Sequence, residues 1–219
     1  VANLLDFDDL EAEETPESLM LATIGGSVES KARTDRQVVT PSLKFLWEAF
    51  RTVLDILRNN TKLEDLYRDT ACRAFAFCLK YKRSVEFRRL CEILRYHIQA
   101  QTKFDPKWKE REPPTPESLQ AHLETRFMQL HTAIEMELWQ EAYRTVEDVH
   151  LLIGHMKKPP RPSSMESYYA KLARVFWVAD NTLFHAYSLT RQYVTARGLK
   201  NVPPADELTL LASRAVLAA

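Results

Sequence analysis

Six basic side chains, Lys80, Lys82, Arg83, Arg88, Arg89 and Arg95, fall close together, with Tyr81 and Tyr96 interleaved. Ammonium and guanidinium groups at this density recognise phosphates or carboxylates, and the tyrosines offer rings for stacking. The chemistry they suggest is contact with RNA phosphate or with an acidic protein face. The same residues also suit a helix that carries charge only for solubility.

The remaining reactive side chains form no catalytic pattern. His97, His122, His131, His150, His155 and His185 are scattered, with no H-E-x-x-H and no i,i+4 pair to bind a metal on one helix face. Glu135, Glu137 and Glu141 fit a solvated helix face better than paired acid–base work. Cys72, Cys78 and Cys91 include no C-x-x-C and read as free buried thiols, although spacing alone leaves open a thiol paired with a distant histidine. G-x-S-x-G, the P-loop and G-x-G-x-x-G are absent. The sequence therefore predicts no enzyme, no cofactor, no metal and no small-molecule substrate.

Charge is balanced overall, with 30 basic and 30 acidic residues, but unevenly spread. Residues 1–30 carry 8 acids and no base; residues 31–104 carry 16 bases and 8 acids, a net +8. That basic excess lies where the six candidate residues lie, and such asymmetry can steer an acidic partner. No apolar run is long enough to span a bilayer and no signal peptide is visible; the free thiols predict a reducing compartment, and the expected location is the cytoplasm. The start at Val1 and the apolar end LTLLASRAVLAA suggest a piece of a longer protein.

The elements that must position these residues read as helices throughout. Only 4 Gly are present, while 11 Pro cluster at the joints. Leu43, Leu46, Trp47, Phe50, Val53, Leu54 and Leu57 repeat at three-and-four spacing, which predicts a helix capped by Thr40. Phe45, Ala49 and Ile56 widen its apolar sector, as in a helix packed on two sides. Thr61 with Glu64 reads as a capping box for a second helix with Leu63, Leu66, Tyr67, Ala74, Phe77, Cys78 and Tyr81 inside. Ser84 would cap a third, with Phe87, Leu90, Cys91, Leu94 and Ile98 inward and Arg88, Arg89 and Arg95 outward.

After a loop from Lys103 to Pro114, Thr115-Pro116-Glu117 predicts a fourth helix with Leu119, Leu123, Phe127, Leu130 and Ile134 inward. A fifth begins near Leu138-Trp139 and buries Trp139, Tyr143, Val146, Val149 and Ile153. Residues 154–162 read as an extended basic loop, and Ser163 or Ser164 caps a sixth helix with Tyr168, Tyr169, Leu172, Val175 and Phe176. Asn181 starts a seventh around Phe184, Ala186, Tyr187, Tyr193 and Val194, stopped by Gly198 at C′. Pro203-Pro204 opens an eighth. Short helices are also predicted at Asn3–Ala12 and Leu19–Ile24. The domain reading is an acidic segment over 1–39 and a helical-repeat domain over 40–219. Its fold class is an all-α, right-handed stack of antiparallel helix pairs resembling a tetratricopeptide solenoid. Phe87, Tyr143 and Phe184 would occupy matching places after the turns.

Several runs point to one family. They are TPESL from Thr15, TPSLKFLWEAF from Thr40, LDILRNN from Leu54 and AFAFCLKYKRSVEFRRLCEILRYHI from Ala74. HLETRFMQLHTAIEMELWQEAYRTVEDVH from His122, KKPPRP from Lys157, YYAKLARVFW from Tyr168 and NTLFHA from Asn181 follow in order. Together they resemble the family of the largest subunit of eukaryotic translation initiation factor 3. The resemblance implies the helical part of a PCI module, without the winged helix that follows in the family. It implies a non-catalytic scaffold that joins PCI neighbours, chiefly the c subunit, and docks on the small ribosomal subunit near the mRNA exit. The alternative from the residues is a stand-alone RNA-binding helical repeat; the resemblance to PCI modules also leaves a scaffold of the proteasome lid or COP9 signalosome.

Overall fold

The computed structural model describes residues 10–11, 39–58, 60, 63–102, 116–156 and 159–219. Among the described residues there are eight helices and no strand: α1 Thr40–Leu57, α2 Glu64–Lys80, α3 Ser84–Thr102, α4 Pro116–Glu135, α5 Trp139–His155, α6 Pro162–Val178, α7 Thr182–Arg197 and α8 Ala205–Ala218. The expected short N-terminal helices, the Thr61 and Thr115 caps and the 103–114 loop lie outside the described residues. The chain divides into two compact units, Val1–Glu92 and Ile93–Ala219, so the division falls within α3.

In the first unit α1 packs on α2. Leu43, Trp47, Leu54 and Leu57 are its buried face, each contributing about 1.5–3 kcal/mol on burial. Phe50 meets Phe77 with ring centroids 5.7 Å apart, and Phe75 meets Phe87 at 5.8 Å. The apolar sector expected to pack on two sides packs on one. Phe45 is 74% exposed and Ile56 68%, while Leu46, Val53, Leu63 and Leu66 are also exposed. The inner face of α2 is instead Tyr67, Ala71, Ala74, Phe75, Phe77 and Cys78. Thr40 is the first helical residue and not a cap, because Pro41 already fits the first turn with no N–H to satisfy.

In the second unit α4 packs on α5 and α6 on α7; α6 also touches α4 and α5, and α8 lies on α7. Helix pairs are thus stacked in succession. Leu123, Phe127, Leu130 and Ile134 of α4 are buried as the spacing predicts, and so are Tyr168, Tyr169, Leu172, Val175 and Phe176 of α6. The faces of α5 and α7 differ from the reading. On α5 the buried residues are Glu141, Ala142, Thr145, Val149 and Leu152, and on α7 they are Ser188, Gln192 and Ala196. Tyr143, Phe184, Tyr187 and Val194 stay roughly half exposed. Small and polar residues turn inward there because they find partners. Gln129 Nε2 donates to Thr145 Oγ1 at 2.8 Å, and Gln192 Nε2 donates to Glu166 Oε1 at 2.8 Å. Tyr143 and Phe184 therefore do not match the fully buried Phe87.

One turn recurs three times. After α2, the Arg83 N–H donates to the Cys78 carbonyl and the Lys82 N–H to that of Leu79. After α4, Leu138 and Glu137 donate in the same way to Ala133 and Ile134; after α6, Asn181 and Asp180 donate to Phe176 and Trp177. This is the Schellman arrangement. Its left-handed position holds Lys82 (φ 51), Glu137 (φ 58) and Asp180 (φ 53). None is glycine, so each turn carries a backbone cost that the packed helix pair offsets.

Other joints differ from expectation in detail. Gly154 lies inside α5, so the loop before α6 is shorter than 154–162. Arg161 precedes α6 and Pro162 occupies its first turn, which places Ser163 and Ser164 within the helix. Asn181 caps α7 as predicted, its Oδ1 accepting from the Phe184 N–H at 3.2 Å. Gly198 follows α7 at φ −85, a right-handed residue and not a left-handed C′.

Candidate interaction surface

The six candidate bases have different fates. Lys80, Lys82 and Arg88 are exposed. Lys80 and Lys82 lie within the first Schellman turn, and Lys80 Nζ stands 5.3 Å from the Tyr81 ring centre. Arg83 is buried; its N–H closes that turn and its carbonyl accepts from Phe87 at the start of α3. Its place is structural, not outward-facing as the charge run implies.

Arg89 is engaged by the chain's own acidic segment. Glu11 accepts from the Trp47 indole Nε1 at 2.8 Å and from Arg51 Nη1 at 2.7 Å, and Arg89 Nη1 lies 3.4 Å from its other oxygen. Leu10 beside it is buried, and the Leu10 N–H donates to Glu86 Oε1 at 2.9 Å. Glu86 is itself buried in the first turn of α3, where the helix N-terminus favours a carboxylate. By sequence alone Glu11 is one acid among several in an acidic run. Nothing local marks it, because its three partners come from α1 and α3.

In the second unit Arg95 is tied into a polar network rather than presented outward. Its Nε lies 3.0 Å and 3.3 Å from the two oxygens of Asp148. Arg126, 2% exposed, approaches the same carboxylate at 3.8 Å and also bonds Gln129. Thr145 completes the chain by donating to the Glu141 carbonyl at 2.7 Å. The links through Arg126, Gln129 and Thr145 are shielded from water and those of Arg95 partly so, and the network ties α4 to α5.

Several of the scattered reactive residues are held within the fold. Burial pushes the Cys78 thiol up, assisted by the charge of Glu86, so it is a poor nucleophile. Burial, then the Arg126 charge, lowers His122 to about 4, which keeps it neutral. Glu141 is buried and bonded by Arg144 at 2.9 Å, while Glu135 lies 3.4 Å from Arg174. Among the described residues no group of three His, Cys, Asp or Glu side chains could hold a metal. No described helix is long and apolar enough to cross a membrane.

What remains outward is suited to association. Three of the six candidate cations, Lys80, Lys82 and Arg88, stand exposed in the first unit, and apolar side chains stand open in both. In the second unit Trp177 is 70% exposed and Leu183 74%. Trp177 rests on His185, and Phe184 stacks on Phe176. Helix pairs that leave such side chains open use them for partners more often than for chemistry.

The model of one family, described as eIF3a, PCI domain, TPR-like region, matches residues 2–219. The chain belongs to that family. Three fungal relatives, each named as the A subunit of eukaryotic translation initiation factor 3, agree closely. That of Neurospora crassa is 56% identical over 192 residues, 88% of this chain and 18% of the relative. That of Chaetomium globosum is 58% identical over 186 residues, 85% of this chain and 17% of the relative. That of Aspergillus niger is 55% identical over 186 residues, with 85% and 18% covered. The chain therefore spans less than a fifth of the length of these relatives. The family description names a PCI, TPR-like region, which agrees with the eight helices among the described residues and describes no enzyme.

Proposed function

We propose that this chain is the helical PCI part of a non-catalytic scaffold within translation initiation factor 3. Its work is to join the PCI neighbours of the complex, chiefly the c subunit, and to help seat the factor on the small ribosomal subunit near the mRNA exit, in the cytoplasm. The observation that carries this reading is membership of the eIF3a family across residues 2–219. Stacked helix pairs with open apolar side chains and few reactive groups support it. Lys80, Lys82 and Arg88 are the proposed electrostatic contacts. Arg83 and Arg89 support that surface from within the fold, and Arg95 serves the polar network of the second unit.

The test reverses Lys80, Lys82 and Arg88 to glutamate and measures binding of the c subunit and of small ribosomal subunits at two salt concentrations. Exposed cations contribute little to stability, so melting should be unchanged. Capture of the acidic partner should fall by ~10-fold at low salt and by less at high salt, because screening removes the steering field. Equal capture at both salts would leave these three residues as solubilising charge. A steep salt dependence seen only with ribosomes would assign them to RNA phosphate.

A further inference from the structure

Glu11 occupies a site that has the parts of a peptide receptor. The carboxylate meets three N–H donors: the Trp47 indole, Arg51 and Arg89, at 2.8, 2.7 and 3.4 Å. Trp47 belongs to the buried face of α1 with Leu43, Leu54 and Leu57, so its ring is held by the helix packing while its N–H meets Glu11. The residue before the carboxylate contributes two more contacts. The Leu10 side chain is buried, and the Leu10 N–H satisfies the buried Glu86 carboxylate at 2.9 Å. The site thus reads an apolar side chain, a main-chain N–H and an acid within two consecutive residues.

We infer that the site formed by Trp47, Arg51, Arg89 and Glu86 is a receptor for a Leu-Glu acidic peptide, filled in cis by Leu10–Glu11 and open to an acidic segment of a partner protein that displaces it. Glu86 decides between peptide and nucleic acid. A buried carboxylate demands an N–H donor and repels a phosphate placed against it. The ion pairs favour exchange: side chains of Arg51, Arg89 and Glu11 are 40%, 32% and 32% exposed, so water screens them. The cis segment acts as a tethered competitor, whose effective concentration lowers the apparent affinity of a free peptide. The inference rests on the scaffold reading only for the identity of the partner. Its chemistry stands on the site alone.

The test uses the full chain and a fluorescent peptide of residues 4–15, LLDFDDLEAEET. The variant Leu10→Ser with Glu11→Gln should bind the peptide at least ~10-fold more tightly than the wild type, because the tethered competitor is gone. Adding Arg51→Gln and Arg89→Gln should abolish that gain, and a peptide with Ser and Gln in place of its Leu-Glu should not bind. If the first variant does not fold, Glu11→Gln alone, which keeps Leu10 in place and weakens the tethered competitor, replaces it and should still bind the peptide more tightly than the wild type, by a smaller factor. Peptide binding equal in wild type and variant, or binding indifferent to the Leu-Glu pair, overturns the inference. So does displacement of the peptide by an RNA oligonucleotide of equal charge as readily as by unlabelled peptide. Because no other initiation-factor protein is present, this result is read independently of the capture experiment above.

Discussion

Trp47→Ala is expected to destabilise the protein by ~3–5 kcal/mol, read from the urea midpoint followed by circular dichroism. Trp47 is 1% exposed at the centre of the α1 face, between Leu43 and Leu54, so alanine leaves a cavity among side chains that cannot collapse into it. Its indole N–H also anchors Glu11, and that bond is lost with it. Trp47→Phe separates the two contributions. It keeps most of the apolar burial and removes the donor, so about 1–2 kcal/mol of the loss should remain. An unchanged midpoint for the alanine variant would place Trp47 on a surface and sink the account of α1.

Asp148→Asn carries the second large effect. The carboxylate faces the guanidinium groups of Arg95 at 3.0 Å and Arg126 at 3.8 Å. Neutralising it leaves two cations close together, one of them nearly sealed from water. Breaking a buried pair typically costs about 3–5 kcal/mol. Asp148 and Arg95 are 18% and 22% exposed, so screening reduces the expectation here to ~2–4 kcal/mol. Replacing Arg126 by methionine in the same chain should recover part of that loss, since the uncompensated charge is then gone. If the single variant melts with the wild type, the network is surface decoration and does not hold α4 to α5.

These two sites also show what a sequence can and cannot display. Trp47 announces itself, being a large aromatic at three-and-four spacing from Leu43, Phe50 and Leu54. The same logic finds α6, whose buried face is large and apolar, and the apolar row of α4, but not the Ser118, His122, Thr125, Arg126, Gln129 and Thr132 side chains that α4 also buries. It fails on α5 and α7, where Thr145, Ser188 and Gln192 face inward and Tyr143, Phe184 and Tyr187 do not. A buried threonine satisfied by a glutamine sixteen positions away looks like any surface threonine. The three turns are equally hidden. Glycine or asparagine is the usual sign of a left-handed residue, and Lys82, Glu137 and Asp180 stand there instead.

The candidate surface is legible as composition and not as geometry. Arginines at 83, 88 and 89 look alike in a string. Only the Schellman turn distinguishes the buried Arg83, and only α1 with the acidic segment distinguishes Arg89 from the exposed Arg88. The family resemblance needs neither. It rests on runs such as ELWQEAYRTVEDVH, whose acids and tryptophan periodicity alone does not dictate, and the family match over residues 2–219 agrees with it.

The proposed role of this helical chain is that of a scaffold within translation initiation factor 3. Its most direct measurement is affinity capture of the tagged chain from a eukaryotic cytoplasmic extract, with mass spectrometry of the proteins recovered. The other PCI subunits of initiation factor 3 should be enriched, with the c subunit foremost, in nuclease-treated extract as well as untreated. Recovery of proteasome-lid or COP9 signalosome subunits in their place, or of ribosomal proteins that vanish on nuclease treatment with no factor subunits retained, would contradict it.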